Sequence, residues 1–258
     1  MSGEDSAVQL TGKAALVTGA AAGIGQAIAL AFAAEGAAIL SCDIDEAGAA
    51  ATARLVGEAA GRSASCRCDV ANEPEVVAAV EKARQDFGRL DIVVSGAAPY
   101  DLGGTVVEMS LSDWERVVAV NLTGSFLLCR AAIPLMAAGG GGSVILIASQ
   151  LGRVGSAGRA AYCATKGALI QLAKVMAIDH AAQNIRVNTL SPGAVETERV
   201  RRRYGSYEAA RAVMGPKHLV GRLGQPAEIA AAAVFLASDA ASFVTGSDLL
   251  VDGGYTAI

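Results

Sequence analysis

The stretch Ala14 to Gly25, AALVTGAAAGIG, contains a short apolar run that passes directly into a turn with three glycines. The run Ala14–Thr18 is typical of a buried strand, and the helical pattern that follows the glycines ends at Gly36. A second apolar run, Ala37–Cys42, leads to Asp43. Strand, glycine turn, helix, strand and acid in this order predict a βαβ unit that binds a dinucleotide.

The glycines at 19, 23 and 25 have a defined role if a dinucleotide is bound. They permit a tight turn and a close approach of backbone to the pyrophosphate, while the helix N-terminus directs its N–H groups at the phosphates. The spacing is G-x-x-x-G-x-G rather than G-x-G-x-x-G. Because glycines also mark ordinary strand-to-helix turns, it is the position after the first strand that favours a phosphate site.

Asp43 predicts NAD rather than NADP as the cofactor. A carboxylate at the end of the second strand can accept both ribose hydroxyls of the adenosine half, and it repels a 2′-phosphate. Residues 20–22 and 44–46 contain no Arg or Lys, which an NADP site usually supplies. The alternative for Asp43 or Asp45 is to cap the next helix. Asp69 and Val70, after the third strand, contact the adenine or cap the helix that follows.

The alternation of strand and helix patterns continues to the end of the chain. Helical patterns lie near 45–60, 73–87, 112–138, 160–183 and 226–238, and strand patterns lie near 63–68, 91–94, 143–148, 185–190 and 248–251. We therefore predict an α/β, doubly wound (Rossmann) single domain, with a seven-stranded parallel sheet and helices on both faces. It would span 11–258 after an N-terminal tail of 1–10, with a lid at about 195–217, where the pattern is least regular.

The composition excludes several classes of partner. The net charge is −4, and no basic stripe with interleaved aromatics is present, so no nucleic-acid partner is expected. The acidic N-terminus lacks the pattern of a signal peptide, and no uncharged apolar run reaches the length of a membrane span. Five cysteines, an odd number, fit a reducing compartment, and their spacing predicts no metal site. We expect a soluble cytoplasmic protein.

Tyr162 and Lys166 are a candidate general acid/base pair. Residues four apart on a helix share one face, so the ammonium favours the phenolate and lowers its pKa from about 10. Ser149 ends the apolar run 144–148, and its hydroxyl would lie at the carboxyl end of a strand, where open α/β sheets bind ligands. There it can hold a carbonyl oxygen. The alternative is a half-buried core tyrosine beside a solvated lysine.

The chain resembles the short-chain dehydrogenase/reductase family over nearly its whole length. The matching motifs are TGAAAGIG at Thr18, Asp43, Cys68-Asp69-Val70, the stretch 120–124, Ser149, YCATK at Tyr162, Arg186-Val187-Asn188, Ser191-Pro192-Gly193 and the stretch 221–226. The resemblance implies a catalytic tetrad of Asn121, Ser149, Tyr162 and Lys166. In that family the tyrosine is the acid/base and the serine holds the substrate oxygen. The lysine lowers the tyrosine pKa and binds the nicotinamide ribose, and the asparagine backbone anchors a relay water.

The same resemblance implies the cofactor contacts and a homotetramer built on helix and C-terminal contacts. The contacts are Gly19, Gly23, Ile24, Gly25, Asp43, Ile44, Asp69, Val70, Gly96, Tyr162, Lys166, Pro192, Gly193, Val195 and Thr197. The chain departs from the family at Ser95-Gly96-Ala97-Ala98, where Asn-Asn-Ala-Gly is usual, so the wall beside the cofactor is expected to differ. A milder departure is Gln150, where a second small polar residue is common.

The predicted reaction is NAD-dependent oxidation of a secondary alcohol in a small molecule such as a polyol, a sugar or a hydroxyacid. The lid is rich in cations: Arg199, Arg201, Arg202, Arg203, Arg211 and Lys217. One interpretation is an anionic substrate, with Gln150, Arg159 and Arg203 as tentative contacts. The other is a solvated lid face that pairs with Glu196, Glu198 and Glu208. Arg203 is preferred because this end of the lid resembles that of hydroxyalkyl-sulfonate dehydrogenases.

Two other functions stay open. A 3-oxoacyl-[acyl-carrier-protein] reductase usually goes with NADP and a basic docking patch, so Asp43 opposes this alternative and the lid arginines favour it. A non-catalytic nucleotide-binding scaffold is supported by the altered motif at 95–98 and opposed by the intact tetrad. His218, in the lid, is a further candidate for a substrate contact.

Overall fold

Seven parallel strands form one sheet. They are β1 Ala14–Thr18, β2 Ala38–Asp43, β3 Ser63–Arg67, β4 Ile92–Ser95, β5 Gly142–Ile147, β6 Ile185–Pro192 and β7 Asp248–Val251. Their spatial order is β3-β2-β1-β4-β5-β6-β7. The computed structural model describes residues 9–59, 61–100 and 103–257. Because the strand order reverses between β1 and β4, the carboxyl ends of these two strands border the crevice in which such sheets bind ligands.

Helices connect successive strands and cover both faces of the sheet. They are α1 Gly23–Ala34, α2 Glu46–Glu58, α3 Glu73–Phe87, α4 Leu111–Val118, α5 Gly124–Ala138, α6 Ala160–His180, α7 Glu198–Tyr204, α8 Tyr207–Met214 and α9 Pro226–Ala237. This architecture confirms the predicted doubly wound, Rossmann-type fold.

The side chains of the central strands alternate between two hydrophobic layers. Leu16 and Leu40 pack with α3, α5 and α6 on one face, while Val17 and Ile39 pack with α1 and α9 on the other. All five residues of β1 are buried, as expected for a strand covered on both sides. Each fully buried Leu, Ile or Val side chain contributes about 1.5–3 kcal/mol relative to its exposure in water. These two layers fix the sheet and with it the edge at which the site lies.

The helix predicted over 112–138 is interrupted. One π-helical turn, Ala119–Thr123, lies between α4 and α5. Within this turn the Asn121 carbonyl accepts a hydrogen bond from Ser125 Oγ, and the Asn121 side chain donates to the distant Thr165. A local hydrophobic pattern does not reveal such an interruption. The turn contains Asn121, so the interruption lies at a predicted site residue.

The 195–217 segment and the N-terminal boundary also differ from expectation. The irregular pattern of the segment contains α7 and α8, and Ser206 caps α8 by accepting a hydrogen bond from Ala209 N at 3.1 Å. Leu10, assigned to the tail, is fully buried, and its N–H donates to Glu35 O at 2.8 Å. The fold therefore begins before residue 11. Residues 1–8 of the predicted tail, Ala60 of a predicted helix and Ile258 lie outside the described residues.

The helical stretch Leu111–Ala138 is long and apolar enough to cross a membrane by composition alone. It is the one such segment among the described residues, and the sequence pattern did not reveal it. However, 50% of its most apolar window is buried inside the fold, where α5 packs against α3 and the sheet. A helix packed in this way can belong to the core of a folded domain.

Candidate active site

The glycine turn after β1 is closed by contacts that only glycine allows. Gly19 has a φ of +72° and Gly23 a φ of +60°, both in the left-handed region. A Cβ on Gly25 would lie 2.1 Å from Gly19 O. Ala22 precedes α1 without a side-chain cap, so the N–H groups of the first turn are available to an anionic ligand.

Asp43, the last residue of β2, is held beside this turn. Its Oδ2 accepts a hydrogen bond from Ala21 N at 3.0 Å, and its Oδ1 accepts one from Asp45 N at 3.0 Å. Each carboxylate oxygen keeps a second lone pair, so both can also accept ligand hydroxyls. Asp45 caps α2 by accepting from Gly48 N at 3.1 Å. The helix-capping alternative therefore holds for Asp45, whereas Asp43 remains directed at the turn.

The loop after β4 packs backbone to backbone against the glycine turn. Thr18 Oγ1 accepts a hydrogen bond from Gly96 N at 3.1 Å. A Cβ on Gly96 would lie 2.8 Å from Thr18 O, and a Cβ on Gly19 would lie 2.8 Å from the Gly96 carbonyl. Glycine at 96, where the family usually has asparagine, is therefore required by this local geometry.

Asn121 lies in the π turn and is joined to α6. Its side chain is 1% exposed, and its Nδ2 donates to Thr165 Oγ1 at 3.0 Å. Thr165 Oγ1 in turn donates to the Tyr162 carbonyl at 3.0 Å. The π turn is thus connected through one hydroxyl to the backbone of the candidate acid/base.

Ser149, Tyr162 and Lys166 meet at the carboxyl end of β5. Ser149 Oγ accepts a hydrogen bond from Leu151 N at 3.1 Å, which leaves its own hydrogen available for a ligand oxygen. Lys166 Nζ donates to Ile147 O at 2.6 Å and lies 5.7 Å from the centroid of the Tyr162 ring. Lys166 is 3% exposed, so the alternative of a solvated lysine is wrong.

Two cations lie close to the Tyr162 ring. Besides Lys166, the Arg159 Cζ lies 4.5 Å from the ring centroid. Burial and, to a smaller extent, the charge of the Arg199 guanidinium together lower the pKa of the Lys166 ammonium to about 7. A guanidinium stays protonated throughout the working range of pH. Arg159 therefore keeps a positive charge over the phenol even where Lys166 is neutral, and this charge favours the phenolate.

Comparison with known proteins identifies the family. Residues 19–256 match the family model described as enoyl-(acyl carrier protein) reductase. The D-threitol dehydrogenase of Mycolicibacterium smegmatis is 44% identical over 249 residues, which cover 96% of this chain and 94% of that protein. The chain belongs to the short-chain dehydrogenase/reductase family.

Two further similarities support the same class of enzyme. This short-chain dehydrogenase/reductase is 41% identical over 246 residues to the cis-4-hydroxycyclohexanecarboxylate dehydrogenase of Sinomonas cyclohexanicum, covering 95% of this chain and 97% of that one. It is also similar to the solved structure of 7α-hydroxysteroid dehydrogenase complexed with NADH and 7-oxo glycochenodeoxycholic acid. The TM-score is 0.86 and the sequence identity is 34%, and the match covers 98% of this chain and 98% of that one. The predicted oxidoreductase acting on CH–OH groups is confirmed.

A nicotinamide dinucleotide fits the residues of this dehydrogenase. The uncapped start of α1 can take the pyrophosphate. Asp43 is held in place with free acceptor capacity for the adenosine ribose, and the buried Lys166 Nζ can donate to the second ribose. When bound, the cofactor supplies a hydride acceptor or donor.

The turn after β6 is built around Gly193. A Cβ there would lie 2.9 Å from both Gln150 Oε1 and His218 Nε2. His218 Nδ1 donates to Met214 O at 2.8 Å, so Nε2 accepts from Ala194 N at 3.2 Å. With both ring nitrogens bonded to backbone, the buried His218 supports this turn. Its sequence-based interpretation as a substrate contact is not supported.

Other predicted cofactor contacts are distributed around the crevice. Thr197 Cγ2 lies 3.3 Å from the position of a Cβ on Gly23, so the 195–217 segment begins against the glycine turn. Val195 is buried, Ile24 packs in the layer of α1, and Ile44 is 59% exposed.

Asp69 and Val70 lie after β3, and their role in adenine binding stays a prediction. Asp69 Oδ1 accepts from Ala71 N at 3.0 Å, while Asn72 caps α3. The helix-capping alternative for Asp69 is therefore wrong. Val70 is buried, and a Cβ on Gly124 would lie 2.8 Å from its Cγ2.

The arginines of the 195–217 segment fall into two groups. Arg201 pairs with Glu198 at 2.7 Å and Arg211 with Glu196 at 2.6 Å, both partly in solvent, as the ion-pair interpretation expects. The other three reach the loop after β4. Arg199 donates to Ala98 O, Arg202 stacks over the Tyr100 ring at 5.1 Å, and the Arg203 guanidinium lies beside Gly103, 3.3 Å from the position of a Cβ there.

Sequence reasoning missed three residues that the structure adds to this site. Thr165 joins Asn121 to Tyr162, and its position inside the YCATK motif was the available signal. Arg199 lowers the Lys166 pKa but was one of several arginines in a run. Ser125 bonds the Asn121 carbonyl at 2.7 Å, and no sequence pattern pointed to it.

Because Lys166 is buried, replacing it with an uncharged residue should stabilise the protein against unfolding by an amount that depends on pH. Its pKa in the fold, about 7, is below the ordinary value of 10.5, so between these values the folded state binds fewer protons than the unfolded one. The stability of the wild type therefore rises with pH in this window. Below about pH 7 the folded protein bears the full free-energy cost of a buried ammonium. We expect Lys166→Met to gain roughly 2 kcal/mol more, relative to wild type, at about pH 6 than at about pH 9.

Urea unfolding of the cofactor-free protein at both pH values measures this difference. Lys174→Met is the matched control, because Lys174 is an exposed lysine on the same helix. Its effect on the free energy of unfolding should be the same at both pH values. A pH-independent effect of Lys166→Met would contradict a depressed lysine pKa.

Proposed function

We propose that the protein is an NAD-dependent dehydrogenase that oxidises a secondary alcohol of a polyol, a sugar or a hydroxyacid, with Tyr162 as the acid/base. The observation that carries this proposal is the Tyr162 ring beside two cations, with Arg159 Cζ at 4.5 Å and Lys166 Nζ at 5.7 Å. This ring lies at the sheet edge that also carries the glycine turn. A phenol in such surroundings can exchange a proton near neutral pH.

In the proposed mechanism, Ser149 donates its hydroxyl hydrogen to the substrate oxygen and holds it in place. Tyr162, as the phenolate, takes the hydroxyl proton of the alcohol as the carbon loses its hydride. Lys166 and Arg159 stabilise the phenolate by charge, so the base is available near neutral pH. Asn121 is proposed to complete the tetrad, and its hydrogen bond to Thr165 joins it to the tyrosine.

The choice of NAD is supported by Asp43. Its carboxylate is fixed by Ala21 N and Asp45 N, so a 2′-phosphate at this position would meet a negative charge that cannot easily move away. Among its neighbours, residues 20–22 and 44–46 supply no cation. The dehydrogenase is therefore proposed to use NAD and, physiologically, to run in the oxidative direction.

A panel of alcohols tests the function directly. Purified enzyme is incubated with NAD and with neutral polyols, cyclic diols, sugars and hydroxycarboxylates, and NADH absorbance is followed. Turnover of a secondary alcohol is the expected result. Absence of turnover with every member, together with unimpaired NAD binding, would instead support the nucleotide-binding scaffold.

An anionic substrate is a narrower proposal, supported by two arginines near one loop. Gly104 pairs with Arg159 as an isolated bridge, and the Arg203 guanidinium lies beside Gly103. Gln150, buried next to Gly193, is the third proposed contact. The name of the Sinomonas relative, a hydroxycyclohexanecarboxylate dehydrogenase, describes a substrate of this charge. A planar guanidinium can hold such a carboxylate in a bidentate geometry.

Replacing Arg203 should separate anion recognition from a structural role. We expect Arg203→Ala to lower kcat/KM for a cyclic hydroxycarboxylate about 10-fold. A neutral cyclic alcohol with the same ring but no carboxylate should show little loss. Arg201→Ala is the matched control, because Arg201 lies on the same helix and pairs with Glu198 in solvent. Equal losses on the charged and the neutral substrate would count against anion recognition.

The carrier-protein reductase alternative gains little support. Arg199, Arg202 and Arg203 contact the loop after β4, and Arg201 and Arg211 are paired with carboxylates. These cations are therefore engaged within the chain rather than presented as a docking patch.

We propose that the enzyme is a cytoplasmic homotetramer. Apolar side chains on α5 and α6 are exposed in the single chain, Phe126 to 46%, Val175 to 47% and Ile178 to 77%. Burying them between copies would remove apolar surface from water. All five cysteines are free thiols, which suits a reducing compartment. Light scattering coupled to gel filtration measures the assembly.

A further inference from the structure

A chain of hydrogen bonds runs from the end of β4 to the backbone of Tyr162. Ser95 Oγ lies 2.8 Å from Ser125 Oγ, and Ser125 Oγ donates to the Asn121 carbonyl at 2.7 Å. Asn121 Nδ2 then donates to Thr165 Oγ1 at 3.0 Å, and Thr165 Oγ1 donates to Tyr162 O at 3.0 Å. Ser95, Ser125, Asn121 and Thr165 are all buried.

Counting hydrogens fixes the direction of every bond in this chain. A hydroxyl carries one hydrogen, and that of Ser125 goes to the Asn121 carbonyl, so Ser95 is the donor in the contact between the two serines. The hydrogen of Thr165 goes to the Tyr162 carbonyl, so Thr165 accepts from the Asn121 amide nitrogen. The Asn121 amide therefore has one orientation. Its Oδ1 is buried and makes no hydrogen bond within the described part of the chain, which leaves an acceptor for a water or a ligand hydroxyl.

The location of the two serines separates them from ordinary helix serines. A hydroxyl that bonds the carbonyl four residues earlier is common on helices. Here, however, the carbonyl belongs to the π turn Ala119–Thr123, whose geometry is less favourable than that of an α-helix. Ser95 adds a second support from the strand, at a position where the family usually carries asparagine. Both serines therefore act on the one turn that presents Asn121.

We propose that Ser95 and Ser125 are positioning residues for proton transfer at Tyr162, acting by holding the Asn121 turn in register with α6. This inference rests on the proposed function. The hydroxyls of the two serines bond each other and the Asn121 carbonyl, so their proposed role is indirect. They fix the Asn121 carbonyl and, through Thr165, the distance between the π turn and the acid/base. Small displacements of such groups lower rates strongly, because proton transfer requires hydrogen-bond distances.

Replacement of Ser125 by alanine tests the proposal. We expect Ser125→Ala to lower kcat about 10-fold, with an unchanged dissociation constant for NAD and a larger solvent deuterium isotope effect on kcat. The isotope effect should grow because proton transfer becomes more rate-limiting. Ser125→Thr keeps a hydroxyl that can bond the same carbonyl and should restore most of the rate. Ser95→Ala interrupts the same chain from the strand and supplies the test should the helix variant fail to fold.

A double-mutant comparison measures whether the two serines act as one unit. If they do, Ser95→Ala combined with Ser125→Ala should lose about as much kcat as Ser125→Ala alone, because effects within one network are not additive.

Ser143→Ala is the matched control for a purely structural effect. Ser143 is also a buried serine, and its hydroxyl donates to Leu236 O at 2.8 Å, at the opposite end of β5 from Ser149. It should lower the thermal midpoint without changing kcat or the isotope effect. Suppose that the wild type turns over and that the Ser95 and Ser125 variants have its kcat and isotope effect. The positioning role of the two serines would then be overturned, while the proposed function would stand. Absence of turnover in the wild type would overturn the proposed function, and this inference with it.

Discussion

Tyr162→Phe is expected to lower kcat roughly 1,000-fold while NAD still binds. The phenol oxygen is the only atom removed, and in the proposed mechanism it is the proton acceptor. The ring remains over Lys166 and Arg159, and the Tyr162 carbonyl still accepts from Thr165, so the fold and the cofactor site should persist. Initial rates of NADH formation give kcat, and calorimetric titration gives the affinity for NAD.

Two controls make this result specific. The thermal midpoint of the variant should stay within a few degrees of wild type, and its dissociation constant for NAD should change less than about twofold. A variant that binds NAD normally and turns over at close to the wild-type rate would exclude Tyr162 as the acid/base.

Asp43→Ala is expected to lower kcat/KM with NAD about 100-fold and to leave kcat/KM with NADP nearly unchanged. Two hydrogen bonds from ribose hydroxyls to a carboxylate are lost with NAD, and each contributes about 1.5–3 kcal/mol. With NADP the same change loses one hydrogen bond, from the 3′-hydroxyl, but also removes a repulsive charge, and these two effects offset each other. The preference between the two cofactors should therefore shrink by about two orders of magnitude. The measurement is kcat/KM for both cofactors at a saturating alcohol concentration.

Asp45→Ala is the matched control for this change. Asp45 lies two residues further on and caps α2, so its removal should cost about 1 kcal/mol of stability. The ratio of kcat/KM for NAD and NADP should stay as in the wild type. A wild-type enzyme that is more efficient with NADP would show that the cofactor prediction is wrong.

The fold was predictable because each element carries its own local signal. The apolar run 14–18 is followed by glycines, and the structure has β1 at Ala14–Thr18 and α1 from Gly23. The predicted strand at 248–251 and helix at 73–87 have the bounds found in the structure. Strands buried on both faces are nearly uniformly apolar, so they stand out between amphipathic helices.

The core of the site was also accessible from the sequence, since Tyr162 and Lys166 are only four residues apart. Local spacing does not contain the rest. Asn121 in the π turn bonds Thr165, which lies 44 residues away in sequence. Ser125, which bonds the Asn121 carbonyl, is itself bonded to Ser95, 30 residues away. The hydrophobic pattern of the sequence contains no information about such polar contacts between distant residues.

The arginines of the 195–217 segment were the hardest feature to interpret. A run of cations looks the same in sequence whether the side chains pair with carboxylates or contact another loop. The structure divides them: Arg201 and Arg211 make ion pairs, whereas Arg199 and Arg202 reach residues 98–100. This division depends on which side of a short helix meets the β4 loop, which is a tertiary property.

The contact between Gly96 and the end of β1 limits how this enzyme can be engineered. Consensus design on the family's usual Asn-Asn-Ala-Gly motif would replace Gly96 with asparagine. Here the new Cβ would lie 2.8 Å from Thr18 O, inside the contact distance of the two atoms. Stabilising libraries built from aligned sequences should therefore leave position 96 unchanged, or vary it only together with the residues around Thr18 and Gly19.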